Sequence, residues 1–167
     1  MNKKIVAIVL LLLFITGCGN KMYEDNMKVC VDVMSDLFQT SKKVSFAYSE
    51  VWRNAIFDNK DHNGKYCADF NEAISRYKNQ VANLYFITKG VKSKKDKLDL
   101  LIKELKNPPS KYKEIYNQII SVYADVQKMI ELSENPSGSL NSYNETISEL
   151  DYQIEKNIKI LTTNTSK

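Results

Sequence analysis

The chain has 167 residues, with 24 Lys and Arg against 20 Asp and Glu, three cysteines and one histidine. That length suits one domain able to bury roughly two thirds of its unfolded surface. The charge balance narrows to 22 basic against 20 acidic residues once Lys3 and Lys4 are set aside, which argues against a nucleic-acid binder, a class that usually carries a strong basic stripe.

The first element is a targeting segment. Lys3 and Lys4 precede an unbroken apolar run over residues 5–15, and Thr16, Gly17 and Cys18 close it. The run is too short to be a stable membrane span and has the charged, apolar and small-residue layout of a secretion signal. Its closing Ile15, Thr16, Gly17 and Cys18 resemble the lipobox of bacterial lipoprotein precursors. That resemblance implies cleavage before Cys18 and a diacylglyceryl group on the Cys18 sulfur. It also implies export and anchoring to the outer face of the bacterial cell membrane, or to an outer membrane where the organism has one. Two or more acyl chains suffice for stable attachment, where one is marginal. Residues 1–17 are then the signal and 18–23 a lipidated tether. A helical domain fills 24–162, and 163–167 form a loose tail.

From Met27 the apolar positions alternate three and four apart through Cys30, Met34, Leu37, Ser41, Val44, Tyr48, Val51 and Ala55. This spacing predicts one face of a long amphipathic helix, with Glu24 and Asp25 in its first turn. Polar residues 58–64 end it. A second seam runs through Cys67, Phe70, Ile74, Tyr77, Val81, Leu84, Thr88, Val91, Lys95, Leu98, Ile102 and Leu105, and Gly90 inside it marks a candidate bend. Pro108 and Pro109 stop this helix and Ser110 is the expected cap of the next. A third stripe runs from Ile115 to Ile130, residues 135–139 form a turn, and a fourth stripe runs from Leu140 to Leu161. No segment alternates with period two.

Residues with chemical potential are few. His62 has no second histidine beside it, and a catalytic or metal role needs converging groups. Asn59, Asp61, Asn63 and Gly64 match positions one, three, five and six of a calcium loop, but position twelve is Phe70 instead of a bidentate glutamate. No metal or other cofactor is expected. Two Ser-x-x-Lys spacings, at Ser75 and Ser110, lack the companion motifs that such serine enzymes need. Cys30 and Cys67 lie far apart in a continuous helical hairpin and are expected to remain unbonded.

The expected architecture is all-α: an elongated antiparallel up-down bundle of four helices, the first two longer than the last two. On that geometry the far ends, residues 41–57 and 66–81, project as a two-helix hairpin carrying Phe46, Trp52, Phe57 and Tyr66 towards a partner. Lys89, Lys92, Lys94, Lys95 and Lys97 form a cluster placed to make weak contact with anionic headgroups. The expected function is therefore a non-catalytic cell-surface lipoprotein that binds a protein partner through its membrane-distal hairpin. The alternative is a lipid-anchored protein holding a small apolar or peptide ligand within the bundle, lined by Tyr48, Tyr77, Tyr123 and Met129.

Overall fold

A computed structural model describes the backbone of residues 3–165 and the side chains of residues 19–165; the side chain of the expected lipidation site, Cys18, lies outside the described residues. The chain is all-helical, with no β-strand among the described residues beyond an isolated bridge between Lys60 and Tyr66. Helix α1 (Lys3–Asp58) is continuous, so the expected tether beyond Gly19 is helical, and Glu24 and Asp25 lie well inside the helix rather than in its first turn. No proline or turn pair interrupts that stretch, which leaves helix continuation as the cheapest way to satisfy its backbone. Among the described residues no helix is long and apolar enough to cross a membrane.

Helix α2 (Phe70–Tyr77) starts at Asp69, whose side chain accepts from the Glu72 amide at 2.9 Å, while the Glu72 carboxylate accepts from the Ala68 amide at 2.7 Å. Such reciprocal capping satisfies two of the orphan donors of a helix start. A π turn (Lys78–Ala82) leads into α3 (Asn83–Thr88), and Gly90, at φ +62, separates α3 from α4 (Val91–Glu104). Helix α5 (Lys113–Glu134) follows a 3-10 turn (Ser110–Tyr112). Ser110 opens that turn and makes no side-chain cap, contrary to expectation. Helix α6 (Leu140–Thr165) runs three residues past its expected end. Its Thr162 and Thr165 hydroxyls donate to the carbonyls of Ile158 and Leu161, and Thr165 is buried.

Neighbouring helices are fixed by specific pairs. Helix α4 runs antiparallel to α1, with Lys94 on Asp36 at 2.6 Å and Glu104 on Asn26 at 3.2 Å. Helix α5 runs parallel to α1: Tyr112 stacks on Tyr23 just before α5 begins, and near its end Tyr143 links the carbonyls of Leu132 and Ser45. Helix α6 returns antiparallel, through Asn144 on Ser49 and Asp151 on Lys42. At about 100° per residue, the α1 residues that meet α4 (Asn26, Asp36) and α6 (Lys42, Ser49) fall on opposite flanks. The main core lies between these helices, and a satellite of Val51, Ala55, Cys67 and Ala73 closes the far end.

Two expectations need correction. First, the hairpin does not project from residue 41. The 22 residues of α5 span about 33 Å, which matches α1 from Tyr23 to Ser45, and α6 begins about two turns higher, in the register set by the Asn144–Ser49 and Asp151–Lys42 pairs. Tyr143 therefore packs on Trp52 at 5.7 Å, and only the last turn and a half of α1 stands beyond the α5 and α6 helices. Second, the seam of the second expected helix is broken. Ala73, Ala82, Val91 and Leu98 are buried, whereas Val81 and Leu84 are exposed. An i→i+5 turn takes in one residue more than an α turn. It shifts the following helix by about one position, so Ala82 occupies the place expected for Val81. The break at Gly90 restores the original phase.

Candidate interaction surface

The end of the molecule remote from Gly19 is built on Asp61. Asn59, at φ +53, ends α1 and turns the chain into the loop. Asp61 is buried; its Oδ1 accepts from the amides of Asn63 (2.9 Å) and Lys65 (3.0 Å), and its Oδ2 accepts from Arg76 at 2.8 Å. Arg76 also donates to the Tyr66 carbonyl at 3.0 Å and pairs with Glu72. The Arg76 guanidinium, aided by the two loop amides, holds the Asp61 carboxyl down at about 2. Both Asp61 oxygens thus serve the loop's own architecture, and the partial calcium pattern is spent as an Asx turn locked by an arginine. Among the described residues no group of three His, Cys, Asp or Glu side chains is placed to hold a metal ion. His62 lies beside the Asn63 amide at 3.0 Å and sets its ring edge-on to Tyr77, 5.4 Å between centroids.

This frame leaves Phe57 72 % exposed and Tyr66 73 % exposed, with Ile56 beside them also open. Trp52, expected to face solvent, is only 2 % exposed. Its ring stacks on Phe70 at 5.5 Å and tilts against Tyr143, because α6 reaches its level. Phe46 is 38 % exposed but lies about 17 Å down α1 from Phe57, away from the loop. Of the four expected contact residues, the structure therefore brings Phe57 and Tyr66 to one end, sets Phe46 apart and places Trp52 in the core.

The lysine cluster divides as well. Lys94 pairs with Asp36 and Lys95 with Glu134, while Lys89 lies over the Tyr85 ring at 5.6 Å. Lys92 and Lys97 are exposed. Asp36 stands about 26 Å along α1 from Gly19, so the cluster sits beside the middle of the body rather than at its N-terminal end. Cys30 and Cys67 are both buried free thiols, and burial pushes the Cys30 thiol up to about 12.

One surface was not legible in the sequence. Helix α3 has no buried residue; Leu84 is 62 % and Ile87 76 % exposed, with Val81 one turn earlier also exposed. Beside them a groove of about 740 Å³, lined by Phe86, Ile87, Gly90 and Val91 among others, opens where the chain breaks at Gly90. The seam pattern had assigned Val81 and Leu84 to the core, and the only sequence cue to the contrary is Ile87, which falls off that seam.

No family model, no curated protein and no solved structure matches this chain.

Proposed function

We propose that the chain is a non-catalytic lipoprotein, anchored through acyl groups on Cys18 to the outer face of a bacterial membrane, that binds a protein partner through its far end. The helices form an up-down bundle in this reading, and the antiparallel and parallel side-chain pairings support it. The observation that carries the proposal is the exposure of Phe57 and Tyr66 together at that end. About 57 Å of α1 separates Gly19 from Phe57, so a chain anchored at its N-terminus presents those rings well clear of the bilayer. Exposed aromatic residues on a rigid frame are the usual anchors of protein contacts, and the Asp61–Arg76 lock supplies the rigidity. The alternative, a ligand held within the bundle, has less support. Tyr48 and Met129 are fully buried, the Tyr48 ring packs edge-on to Tyr77, and Tyr123 donates to Asp99 at 2.8 Å.

Two measurements test the proposal. Cys18→Ser should abolish acyl labelling and either release the chain or leave it uncleaved; a Cys18→Ser chain that is still cleaved before residue 18 and still sediments with membranes refutes the anchor. A photo-crosslinking residue at Phe57 or Tyr66 in intact cells should capture one discrete protein that the same probe at exposed Tyr152 does not. Equal capture from all three positions refutes the far end as the interface.

A further inference from the structure

The limb between the π turn and Gly90 carries a second interaction surface. Val81, Leu84 and Ile87 recur every third residue and are all exposed. This is the stripe spacing of a helix face that packs on another helix. The π turn rotates Val81 and Leu84 out of the bundle, and α3 buries none of its own residues in exchange. Left without a partner, three neighbouring apolar side chains on one face gain nothing from exposure.

The surrounding charge says what kind of partner suits them. Residues 73–95 contain no Asp or Glu but carry six Lys and Arg. Arg76, Lys94 and Lys95 are spent on ion pairs within the fold. Lys78 donates to the Asn135 side chain and Lys89 lies over Tyr85, so Lys78, Lys89 and Lys92 pair with no carboxylate among the described residues. The border also holds two carboxylates, Asp96 and Glu134, of which Glu134 is paired with Lys95. With Lys78, Lys89 and Lys92 against Asp96 it stays cationic in balance and complements a helix with an apolar face and acidic flanks. A second copy of this limb would set lysine against lysine. A bilayer is also disfavoured: the limb stands beyond Asp36, itself about 26 Å along α1 from Gly19, several Debye lengths of about 8 Å from a membrane that holds the N-terminus. We infer that Val81, Leu84 and Ile87, with Lys89 and Lys92 at the rim, dock an acidic amphipathic helix of a partner protein. This rests on the reading of the chain as a protein-binding module, and not on which end of it meets the first partner.

The test uses the full chain held in phosphatidylcholine vesicles, which carry no net charge. The probe is a fluorescent three-heptad peptide with leucine at the seam positions and glutamate elsewhere. Its mate has lysine in place of glutamate. The glutamate peptide should bind at least about tenfold more tightly than the lysine peptide, and Leu84→Ser with Ile87→Ser should weaken it by about tenfold, the scale of one lost anchor contact. Lys89→Glu with Lys92→Glu should reverse the preference without touching the stripe. Phe57→Ser should leave the affinity unchanged. Equal binding of both peptides, or binding indifferent to the Leu84 and Ile87 substitutions, overturns the inference. Binding lost only with Phe57→Ser also overturns it and leaves the far-end reading standing. An environment-sensitive dye at Ile87→Cys that enters phosphatidylglycerol vesicles, with no peptide binding, would identify a membrane as the occupant and overturn it as well.

Discussion

Trp52→Ala separates a buried tryptophan from an exposed one. At 2 % exposure the indole has lost nearly all its water contact, and a buried tryptophan removes about 200 Å² from solvent. At roughly 25 cal/mol per Å² that burial amounts to about 5 kcal/mol. Measured large-to-small substitutions of this kind cost about 3–5 kcal/mol once the cavity is included. Two ring contacts, to Phe70 at 5.5 Å and Tyr143 at 5.7 Å, are lost with it. The alanine returns only about 0.5 kcal/mol of helix propensity. A destabilisation of about 3–5 kcal/mol is therefore expected, which for a chain of this size lowers Tm by roughly 6–20 °C. Far-UV circular dichroism during heating and in urea reads it directly. Trp52 is also the chain's only tryptophan, so its emission should be blue-shifted and resist acrylamide quenching in the native protein. A loss below about 1 kcal/mol, or an emission like that of free indole, would refute the placement of α6 against the upper part of α1. Phe57→Ala, by contrast, should change stability by no more than about 0.5 kcal/mol.

Gly90 holds φ +62, and a Cβ there would meet the Ser93 hydroxyl at 3.3 Å. Gly90→Ala should cost about 1–2 kcal/mol in urea denaturation and Gly90→Asn less, since asparagine tolerates the left-handed region; a neutral Gly90→Ala would mean the chain passes Gly90 as continuous helix. Asp61 titrates at about 2 in the folded protein, below the unfolded value of about 3.9. Its contribution is therefore fully present above about pH 4 and is lost as the pH falls towards 2. Carbon-detected NMR of the carboxyl should show this midpoint in the native chain and a higher one in Arg76→Leu, whereas a native midpoint near 4 would exclude the lock. The Cys30 thiol, buried and raised to about 12, should not react with thiol reagents at neutral pH until the protein unfolds; rapid native-state alkylation at Cys30 would show that the α1 seam is open there.

Much of the fold was legible because helix periodicity is local. The three-four spacing from Met27 to Ala55, the prolines at 108 and 109 and the turn at 135–139 were enough to place α1, α5 and α6, since each depends on neighbours a few residues away. The buried seam residues Met34, Leu37, Tyr48, Ile119 and Ile147 follow from the same pattern, and so does the separation of Cys30 from Cys67. Phe57 and Tyr66 were legible as candidate contacts because they lie at the turn between helices, where little of the chain is left to cover them.

What the tertiary structure alone decided depends on meetings between distant segments. Trp52 is core because Tyr143 and Phe70 arrive beside it, and no spacing within α1 announces either. Lys94 and Lys95 are neutralised by Asp36 and Glu134, which are far away in sequence, so a cluster that reads as uniformly basic is only partly so. Asp61 becomes the peg of the far end through Arg76, fifteen residues on. The clearest case is the second seam: its spacing from Cys67 to Leu105 is continuous, yet the π turn at Lys78–Ala82 and the left-handed Gly90 set the middle of it out of phase. Phase is cumulative along a helix, so one residue's slip turns every later side chain by about 100°. A local pattern records which residues belong on one face, but only packing against α1 determines whether that face points inward.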